Sequence, residues 1–549
     1  MNSQNVLKQR VRALALVALI GLAATGCRTY KSQNHVIEYW RQGNITNAVA
    51  EATKLADKKA KGKDAIVWRL EQGTVLRGAG RYQDSNAAFD QAQSRIDQYE
   101  QEAKVKIGNE AGALLSNQAN LPYVGRAYDG IMLNTYKALN YMQLGELDKA
   151  RVELIRAYQR QQSAVEENKK RIEKTQEAAA KAKDKKNINK AENDPKLKSK
   201  FQTTYASLDN LKAYADYVNP FTVYLDGLFF MADATDASDL ERAHKSFERV
   251  AAYNPDNPFV KRDLAALDGL IQGKPLTPTT FVIFETGCAP IRDQIRIDIP
   301  TFIPQSPYAG AAFPKLELQG DYIHRLTVTA DHPLIPAEIA AAAAQETAGT
   351  GSDPDTNTNT SAATATNETA TTADGASATN DTATAKADPA AAAEATNAPA
   401  AEANSIVGCS SLTTSPLSSM DSVIGLDFKN ELPVVITKTI ASTVAKAAAA
   451  YAANQAASQT DASVQLIVLI STIFYQAAVN IADTRTWTTL PKEFQVCSFP
   501  TPADRKIVLE PSSTGPKIPV TIEDGTINIV YVKSITAKSP LLVTQFKLK

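Results

Sequence analysis

Five side chains in the C-terminal half of the sequence have the types that could carry chemistry. Glu285 and Arg292 lie in the stretch FETGCAPIR, and Asp483, Arg485 and Trp487 lie in ADTRTW. Each is near the end of a predicted strand or helix, so the five could converge into a polar pocket under the indole ring. Three interpretations are open: a buried ion-pair network that joins the sheet to the helices, a ligand pocket, or a paired-carboxylate hydrolase. The network is favoured, because an unpaired buried charge is costly.

Familiar catalytic patterns are absent from the sequence. There is no H-E-x-x-H, no G-x-S-x-G, no Walker A motif and no C-x-x-C pair. The histidines are scattered, which favours ordinary surface or hydrogen-bonded roles over metal ligation; they are His35, His244, His324 and His332. We therefore predict a non-enzymatic protein with no catalytic residues, no metal and no cofactor.

Cys27 is the residue most clearly marked for modification. Lys8, Arg10 and Arg12 precede an apolar run of about 12 residues, which is too short to span a bilayer but suits a cleaved leader. Small residues at 24–26 then lead into Cys27, a pattern that resembles the bacterial lipobox, in which the thiol is lipidated and becomes the new N-terminus. The alternative is ordinary leader cleavage with Cys27 as a spare thiol. Arg28, and not an Asp, follows Cys27, which favours sorting of the lipoprotein to the outer membrane.

The other cysteines are Cys288, Cys409 and Cys497. In an oxidising compartment two of them could pair, and the sequence cannot choose among the three possible pairings. Overall charge gives no sign of a nucleic-acid partner, because Lys+Arg and Asp+Glu balance at 59 each.

The elements that must position these residues begin with paired helices. The stretch from Arg126 to Gln161 is predicted to form two amphipathic helices joined by a turn at Gly145, with small or aromatic residues where the helices cross. Two units share one spacing: Gly73, Leu76, Gly80, Ser85, Phe89 and Ala92 in one, and Ala138, Tyr141, Gly145, Ala150, Leu154 and Ala157 in the other. Further pairs are predicted at 36–56 and 227–255. This spacing is typical of tetratricopeptide-like repeats.

A charged segment interrupts the repeats at 159–216. From 166 to 200 it holds 12 Lys/Arg and 7 Asp/Glu with few large apolar residues, which indicates a long, solvated helical hairpin. Its basic face could touch anionic lipid, peptidoglycan or a partner, or it could simply be a solvated surface with weak ion pairs.

The periodicity changes from helical to alternating near Pro275. Strands are predicted at 280–285, 294–299, 316–318 and 323–329, and again at 494–498, 506–509, 518–522, 526–533 and 541–547. Between these groups, 420–453 is predicted to be helical with a break or restart at Pro433. Residues 464–482 form the most apolar stretch after the leader, and a buried core helix is favoured over a transmembrane one because polar residues interrupt it.

Residues 340–405 contain no Val, Ile, Leu, Met, Cys or aromatic residue. Such a stretch cannot bury enough apolar surface to offset its ordering entropy, so we predict a disordered Ala/Thr-rich insertion. A glycosylated or surface-exposed spacer, as in an adhesin, is the alternative.

Several stretches resemble a family of bacterial envelope lipoproteins with N-terminal tetratricopeptide-like repeats and a C-terminal α+β region. The resemblance covers most of the mature chain except the insertion. It lies in Tyr123, Tyr128, Asn134, Tyr136, Ala138, Leu139, Asn140, Tyr141, Gly145, Ala150, Glu153 and Arg156, in Phe284-Glu285-x-Gly287-x-Ala289-Pro290-x-Arg292, in Phe313-Pro314, and in Ala482-Asp483-x-Arg485-x-Trp487-x-x-Leu490-Pro491. It implies a cell-envelope lipoprotein and supplies no enzymatic residues.

Together these observations predict a multidomain chain: all-α tetratricopeptide-like repeats, then an α+β domain with a small mixed sheet. The predicted segments are a leader (1–26), a tether (27–35), the repeat domain (36–274) with its charged insertion (159–216), and an α+β domain (275–339 and 406–549) split by the disordered insertion (340–405). We expect a lipid-anchored scaffold of the cell envelope, at the outer membrane facing the periplasm. Its partners would be envelope proteins, bound through the repeats, and the membrane, reached through Cys27. The alternative is a ligand-binding or enzymatic lipoprotein that uses a polar pocket in the C-terminal domain.

Overall fold

Paired helices make up the first part of the chain in the computed structural model. The structure describes residues 35–105, 118–304, 306–331, 333–334, 410–457, 481–512 and 515–549. The helices are α1 (His35–Arg41), α2 (Ile45–Lys58), α3 (Ala65–Gly78), α4 (Tyr82–Val105), α5 (Ala127–Gln143), α6 (Leu147–Lys181), α7 (Lys185–Glu192), α8 (Pro195–Tyr205), α9 (Pro220–Ala232), α10 (Ala237–Tyr253), α11 (Pro258–Ile271) and α12 (Met420–Ala457).

Tight turns join the first three helix pairs, and each turn contains a glycine. Gly43, Gly80 and Gly145 have φ angles of 70°, 72° and 72°, a region in which any side chain is strained. Helix α1 packs on α2, α3 on α4, α5 on α6, and α9 on α10, and successive pairs also contact each other. The predicted N-terminal helical region and its hairpin turns are therefore confirmed.

Small residues allow the two helices of a pair to approach closely. A Cβ atom added at Gly73 of α3 would lie 2.3 Å from the Phe89 ring of α4. In the fourth pair, a Cβ at Gly227 of α9 would lie 3.0 Å from the Phe247 ring of α10. The glycines thus provide the room that the larger rings fill, as the sequence pattern predicts.

The strands follow the helices. They are β1 (Thr279–Thr286), β2 (Ile291–Ile303), β3 (Ser306–Glu317), β4 (Leu326–Thr329), β5 (Ser411–Thr413), β6 (Ser415–Ser419), β7 (Glu493–Pro500), β8 (Lys506–Pro511), β9 (Ile518–Thr521), β10 (Ile527–Ser534) and β11 (Leu542–Lys547). A five-stranded sheet has the order β11-β10-β1-β7-β6, with β1 parallel to β10 and the other neighbours antiparallel. Strands β5-β4-β8-β9 form a second, antiparallel sheet, and β2 with β3 forms a long hairpin.

The first helices of three pairs are buried on all sides. Every residue from Ala65 to Arg77 in α3 is buried, as is all of α9 and nearly all of α5. A helix that is buried all round needs neighbours on both faces. The second helices of the pairs cover one face, and the C-terminal residues cover the other: Phe221 of α9, for example, stacks on Phe494 of β7 with ring centroids 3.7 Å apart.

The charged insertion is less solvated than the sequence predicts. Helix α6 continues to Lys181, and α7 and α8 then fold back against the β2–β3 hairpin and α12. Ala179, Ile188, Ala191 and Leu197 are buried in one apolar cluster with residues of that hairpin and of α12. A few apolar residues with helical spacing are enough to bury one face of an otherwise charged segment. We call the last part of α6 (Thr175–Lys181), α7, α8 and the β2–β3 hairpin the arm.

Helix α12 runs through Pro433, so the predicted break at that residue is wrong. It is the one described helix that is long and apolar enough to cross a membrane, over Met420–Ala452, and half of its most apolar window is buried.

Some predictions fall on residues outside the described ranges. These are the leader, Cys27 and nearly all of the tether, the insertion at 340–405, Cys409, and almost all of the apolar stretch at 464–482. Among the described residues, those before 335 and those after 409 belong to one compact unit. The change from helices to strands near residue 275 therefore occurs inside this one unit.

Candidate functional site

Glu285 lies in the middle of the five-stranded sheet and is fully buried. Its carboxylate forms an ion pair with Lys533 of the neighbouring strand β10. It also accepts hydrogen bonds from the hydroxyl of Tyr136 on α5, at 2.8 Å, and from the hydroxyl of Tyr531 on β10. Because Tyr136 belongs to a helix, this carboxylate ties the helix pairs to the sheet.

The charges around Glu285 stabilise its ionised form. Burial alone would raise the pKa of Glu285, but the Lys533 ammonium and the hydrogen bonds lower it below its usual value. Burial lowers the pKa of Lys533, and Glu285 opposes that shift only in part. The Arg77 guanidinium of α3 lies 4.8 Å from the Tyr531 ring centroid and adds a second cation to the group.

Arg292 pairs with a residue that the sequence analysis did not select. Its Nη2 donates to Glu431 Oε2 of α12 at 2.8 Å, and its guanidinium lies 4.8 Å from the Phe428 ring. Arg126, just before α5, shares the same carboxylate, with Nε 3.5 Å from Glu431 Oε2. Two guanidinium groups thus share one carboxylate, so this trio carries a net positive charge.

Asp483 and Arg485 pair with each other through two bonds, of 2.7 and 2.9 Å. Arg485 also bonds Asp64 at the start of α3, at 3.1 Å, and the carbonyl oxygen of Leu121 at 2.8 Å. Burial would raise the pKa of Asp483, but the bonds and charge of Arg485 lower it below its usual value. This pair therefore holds the 481–492 segment against the helices.

Trp487 packs into the helix pairs. Its indole N–H donates to Thr74 Oγ1 of α3 at 2.8 Å. Its ring lies edge-on to Tyr136, with centroids 5.9 Å apart, and tilted to Phe89 at 5.7 Å. Because Tyr136 also binds Glu285, the indole and that carboxylate share one helix residue.

A carboxylate missed by the sequence analysis completes the junction. Glu71 of α3 is fully buried and accepts four hydrogen bonds: from the backbone N–H and the hydroxyl of Thr488, at 2.7 and 2.6 Å, and from those of Thr489, at 3.1 and 2.7 Å. The available signal was the one acidic residue of α3, a helix whose remaining residues are mostly apolar but include Arg69, Gln72 and Arg77. Such a charge has to find a buried partner.

The five predicted residues therefore do not line one pocket. Asp483 and Arg485 pair with each other, whereas Glu285 and Arg292 pair with Lys533 and Glu431. Every group links a helix pair to the C-terminal residues. This is the arrangement of the favoured interpretation, a charge network at the join between sheet and helices.

A groove of about 530 Å³ with many charged lining residues lies beside this junction. Facing stripes on α4 and α6 form its walls, residues 124–127 lie between them, and Tyr217 and α12 contribute the rest. The charged or aromatic lining residues are Asp97, Tyr99, Glu100, Arg126, Arg156, Arg160, Glu167, Arg171, Tyr217, Asp427 and Glu431. Much of the charge is paired across the groove: Arg160 of α6 bonds Asp97 and Glu100 of α4 at 2.6 and 2.8 Å.

Two buried charged residues in this groove are not fully compensated. The Arg126 side chain is only 6% exposed, and its buried Nε and Nη1 have no hydrogen-bond partner among the described residues. Asp427 is 8% exposed; burial first, and then the negative charge of Glu431, raise its pKa to about 7. The arginines lower the pKa of Glu431 well below its usual range despite burial. Tyr217, which also lines the groove, has a φ of 60°, rare for a residue other than glycine.

Two of the four cysteines lie in the described part of the chain. Cys288 and Cys497 are buried and free, so no bridge joins them; a bridge to Cys409 lies outside the described residues. Burial raises the pKa of Cys497 to about 12, which makes its thiol unreactive. No group of three or more His, Cys, Asp or Glu side chains in the described ranges is placed to hold a metal ion.

In comparisons with known proteins, no family model, no curated protein sequence and no solved structure matches the chain.

Proposed function

We propose that the chain is a lipid-anchored scaffold of a bacterial cell envelope, at the outer membrane facing the periplasm, which binds a protein partner through tetratricopeptide-like helix pairs. The leader pattern and the small residues before Cys27 support the location and the anchor. The shared spacing around Gly73 and Gly145, with close helix crossings, supports the repeats. In this proposal the protein is not an enzyme.

The observation that carries the proposal is the groove between α4 and α6. In a helical-repeat array either face of the stack can bind a partner. Here the strands cover the face of α3, α5 and α9, so that face is already occupied within the chain. The groove between the second helices stays open, with exposed side chains at Gln159, Ser163 and Arg171.

The lining of the groove suggests the kind of partner. Arg160, Asp97 and Glu100 hold each other in place, so the groove presents fixed charges of both signs at little entropic cost. Such a surface selects by electrostatic complementarity. The partner we propose is a polar protein segment with charges of both signs, from the machinery that assembles the envelope.

A blocking substitution tests this function. Ser163 lies exposed on the groove wall, so Ser163→Trp would fill the groove without entering the core. Ser199→Trp, at an exposed position of α8, is the matched control. After chemical crosslinking in native envelopes, the same partner should be captured by the wild type and by the control but lost from Ser163→Trp. Equal capture by all three would refute the groove as the binding surface.

A second candidate function is a small-molecule binding lipoprotein, and the uncompensated groove residues favour it. The Nε and Nη1 atoms of Arg126 have no hydrogen-bond acceptor in the described part of the chain, although Nε lies 3.5 Å from the Glu431 carboxylate, and the raised pKa of Asp427 is typical of functional sites. Native mass spectrometry of the chain purified from its own cells distinguishes the two candidates. A bound small molecule that Arg126→Gln loses would support this candidate, and an unliganded mass would favour the scaffold.

A further inference from the structure

We propose that the end of the arm docks on the surface of an anionic phospholipid bilayer. This inference rests on the envelope location proposed above, and it adds a second membrane contact besides the lipid at Cys27. It stands on three features of the arm: exposed aromatic side chains, a cluster of lysines beside them, and a rigid mount.

Two aromatic residues at the turn of the β2–β3 hairpin are exposed. Phe302 is 43% exposed and Tyr308 is 63% exposed, whereas Ile297, Ile299 and Ile303 of the same hairpin are buried. Phe302 also has a φ of 55°, which is strained for a residue with a side chain. An aromatic side chain that is both strained and exposed gains little within the chain, so its placement points to an external apolar contact.

Exposed lysines lie on and before α7, the helix that packs beside this hairpin. From 181 to 200 the sequence holds 8 Lys against 3 Asp/Glu. Five of them lie at the end of α6, in the link to α7 or on α7, and all are exposed: Lys181, Lys183, Lys185, Lys186 and Lys190. The Lys190 ammonium lies 5.6 Å from the Phe302 ring centroid, which places the basic cluster and the aromatic residue side by side.

Aromatic rings beside lysines are the side chains that favour the headgroup region of a membrane. The ring enters the boundary between headgroups and acyl chains while the ammonium groups meet anionic phosphates. Each lysine near such a surface contributes about 1 kcal/mol, which is about a fivefold gain in binding. The charge of this surface therefore matches an anionic bilayer.

The arm holds these groups on a rigid base. Strands β2 and β3 pair from Ile291 with Glu317 to Ile303 with Ser306. Buried residues of α7, α8 and α12 pack on the hairpin in one apolar cluster. The aromatic residues and the lysines are thus fixed relative to each other, so little order has to be gained on docking.

Vesicle sedimentation tests the proposal, using the chain from residue 27 onward with the substitution Cys27→Ser, so that no acyl group is present. The probe is vesicles of about three parts zwitterionic to one part anionic phospholipid, with purely zwitterionic vesicles beside them. We expect binding to the anionic vesicles that weakens with salt. The triple variant Lys185→Gln, Lys186→Gln, Lys190→Gln should bind about 100-fold more weakly, from about fivefold per lysine. Phe302→Ser with Tyr308→Ser should also bind at least about tenfold more weakly.

Matched controls separate the arm from general charge and apolarity. Leu318→Ser removes a 54% exposed apolar residue just beyond the opposite end of the hairpin, and a second triple variant removes the exposed Lys506, Lys517 and Lys547. Both controls should bind like the starting chain, and circular dichroism should show that every variant is folded. The proposal would be overturned if the chain did not bind anionic vesicles, if it bound zwitterionic vesicles equally well, or if the controls lost as much binding as the arm variants. It would also be overturned if the chain sedimented with added peptidoglycan but not with vesicles. The anchored scaffold is tested separately by partner capture, so either result can fail alone.

Discussion

Replacing Asp427 by Asn is expected to stabilise the protein at pH 8 and to leave its stability nearly unchanged at pH 4. Burial raises the pKa of Asp427 from 3.8 to about 7 in the folded protein. The folded protein therefore keeps this proton up to about pH 7, whereas the unfolded chain loses it near pH 4. The free energy of unfolding of the wild type therefore falls as the pH rises from about 4 to about 7. The Asn variant has no carboxyl to ionise, so its free energy of unfolding does not fall for this reason.

The size of the effect follows from the shift. A difference of about three pKa units, at about 1.4 kcal/mol each, amounts to about 4 kcal/mol of destabilisation above pH 7. This is a large part of the 5–15 kcal/mol by which folded domains are typically stable. A protein that retains such a carboxyl bears a stability cost, which is a common sign of a functional residue.

Urea unfolding of the wild type and of Asp427→Asn at pH 4, 6 and 8 measures the effect. Tryptophan fluorescence is a suitable probe because Trp40, Trp68 and Trp487 are all buried. Asp504→Asn, at an exposed position, controls for the loss of one carboxylate. A gap between wild type and Asp427→Asn that does not change with pH would refute the reasoning. So would a wild type more stable than the variant at pH 8, because Asp427 would then be stabilised as an anion.

Three further predictions concern the junction and the helix pairs. Glu285→Ala should lower the free energy of unfolding by about 3–5 kcal/mol, because Lys533 stays buried and unpaired. Adding Lys533→Met should recover part of that loss, and a double variant that is as unstable as Glu285→Ala would contradict this. Glu71→Ala should cost about 3–5 kcal/mol, since it leaves four buried donors without an acceptor, and a loss under about 1 kcal/mol in urea unfolding would argue against this role. Gly73→Ala should lower the melting temperature more than Gly80→Ala does. The first places a Cβ 2.3 Å from the Phe89 ring, whereas the second adds only backbone strain of about 1–2 kcal/mol. The reverse order would refute the close helix crossing.

The helix pairs could be predicted because their signals are local. Gly80 and Gly145 mark turns that need positive φ angles, and Gly73 marks a crossing that leaves no room for a side chain. Each of these signals lies within a single helix pair, and Phe89, the ring for which Gly73 makes room, follows it by only 16 residues. Most of the longer strands were visible in their alternation or apolar runs, but β5 and β6 are too short for the pattern to show. Of β3 only the last residues, 316–317, were predicted, because Gly, Ala and Pro interrupt the alternation in Ser306–Glu317.

The sheet order and the charge partners could not be predicted in the same way. Strand β1 pairs in parallel with β10, which lies far along the chain, and no local pattern encodes that register. Glu285 and Arg292 were recognisable as buried charges, but Lys533 and Glu431 become their partners only through the fold. The alternative of a pocket under Trp487 fails for the same reason, because it assumed that side chains that share a motif also share a site.

The arm shows where composition misleads. Charge and few large apolar residues predicted a solvated hairpin, yet Ile188 and Leu197 are buried against the β2–β3 hairpin and α12. Two or three apolar residues on one helix face are enough when a matching surface is present elsewhere in the chain.

The central claim is that strands cover the inner face of the helix pairs, the face formed by α3, α5 and α9, and leave the groove between α4 and α6 open for a partner. Site-specific photocrosslinking in native envelopes tests this claim most directly. A photoreactive phenylalanine analogue at Tyr99 lies in the groove, and one at Gln143 lies on the inner face, where that side chain bonds the Gln545 carbonyl of β11 at 2.6 Å. The account predicts an adduct with another protein from Tyr99 and none from Gln143. An adduct from Gln143 with none from Tyr99 would contradict it.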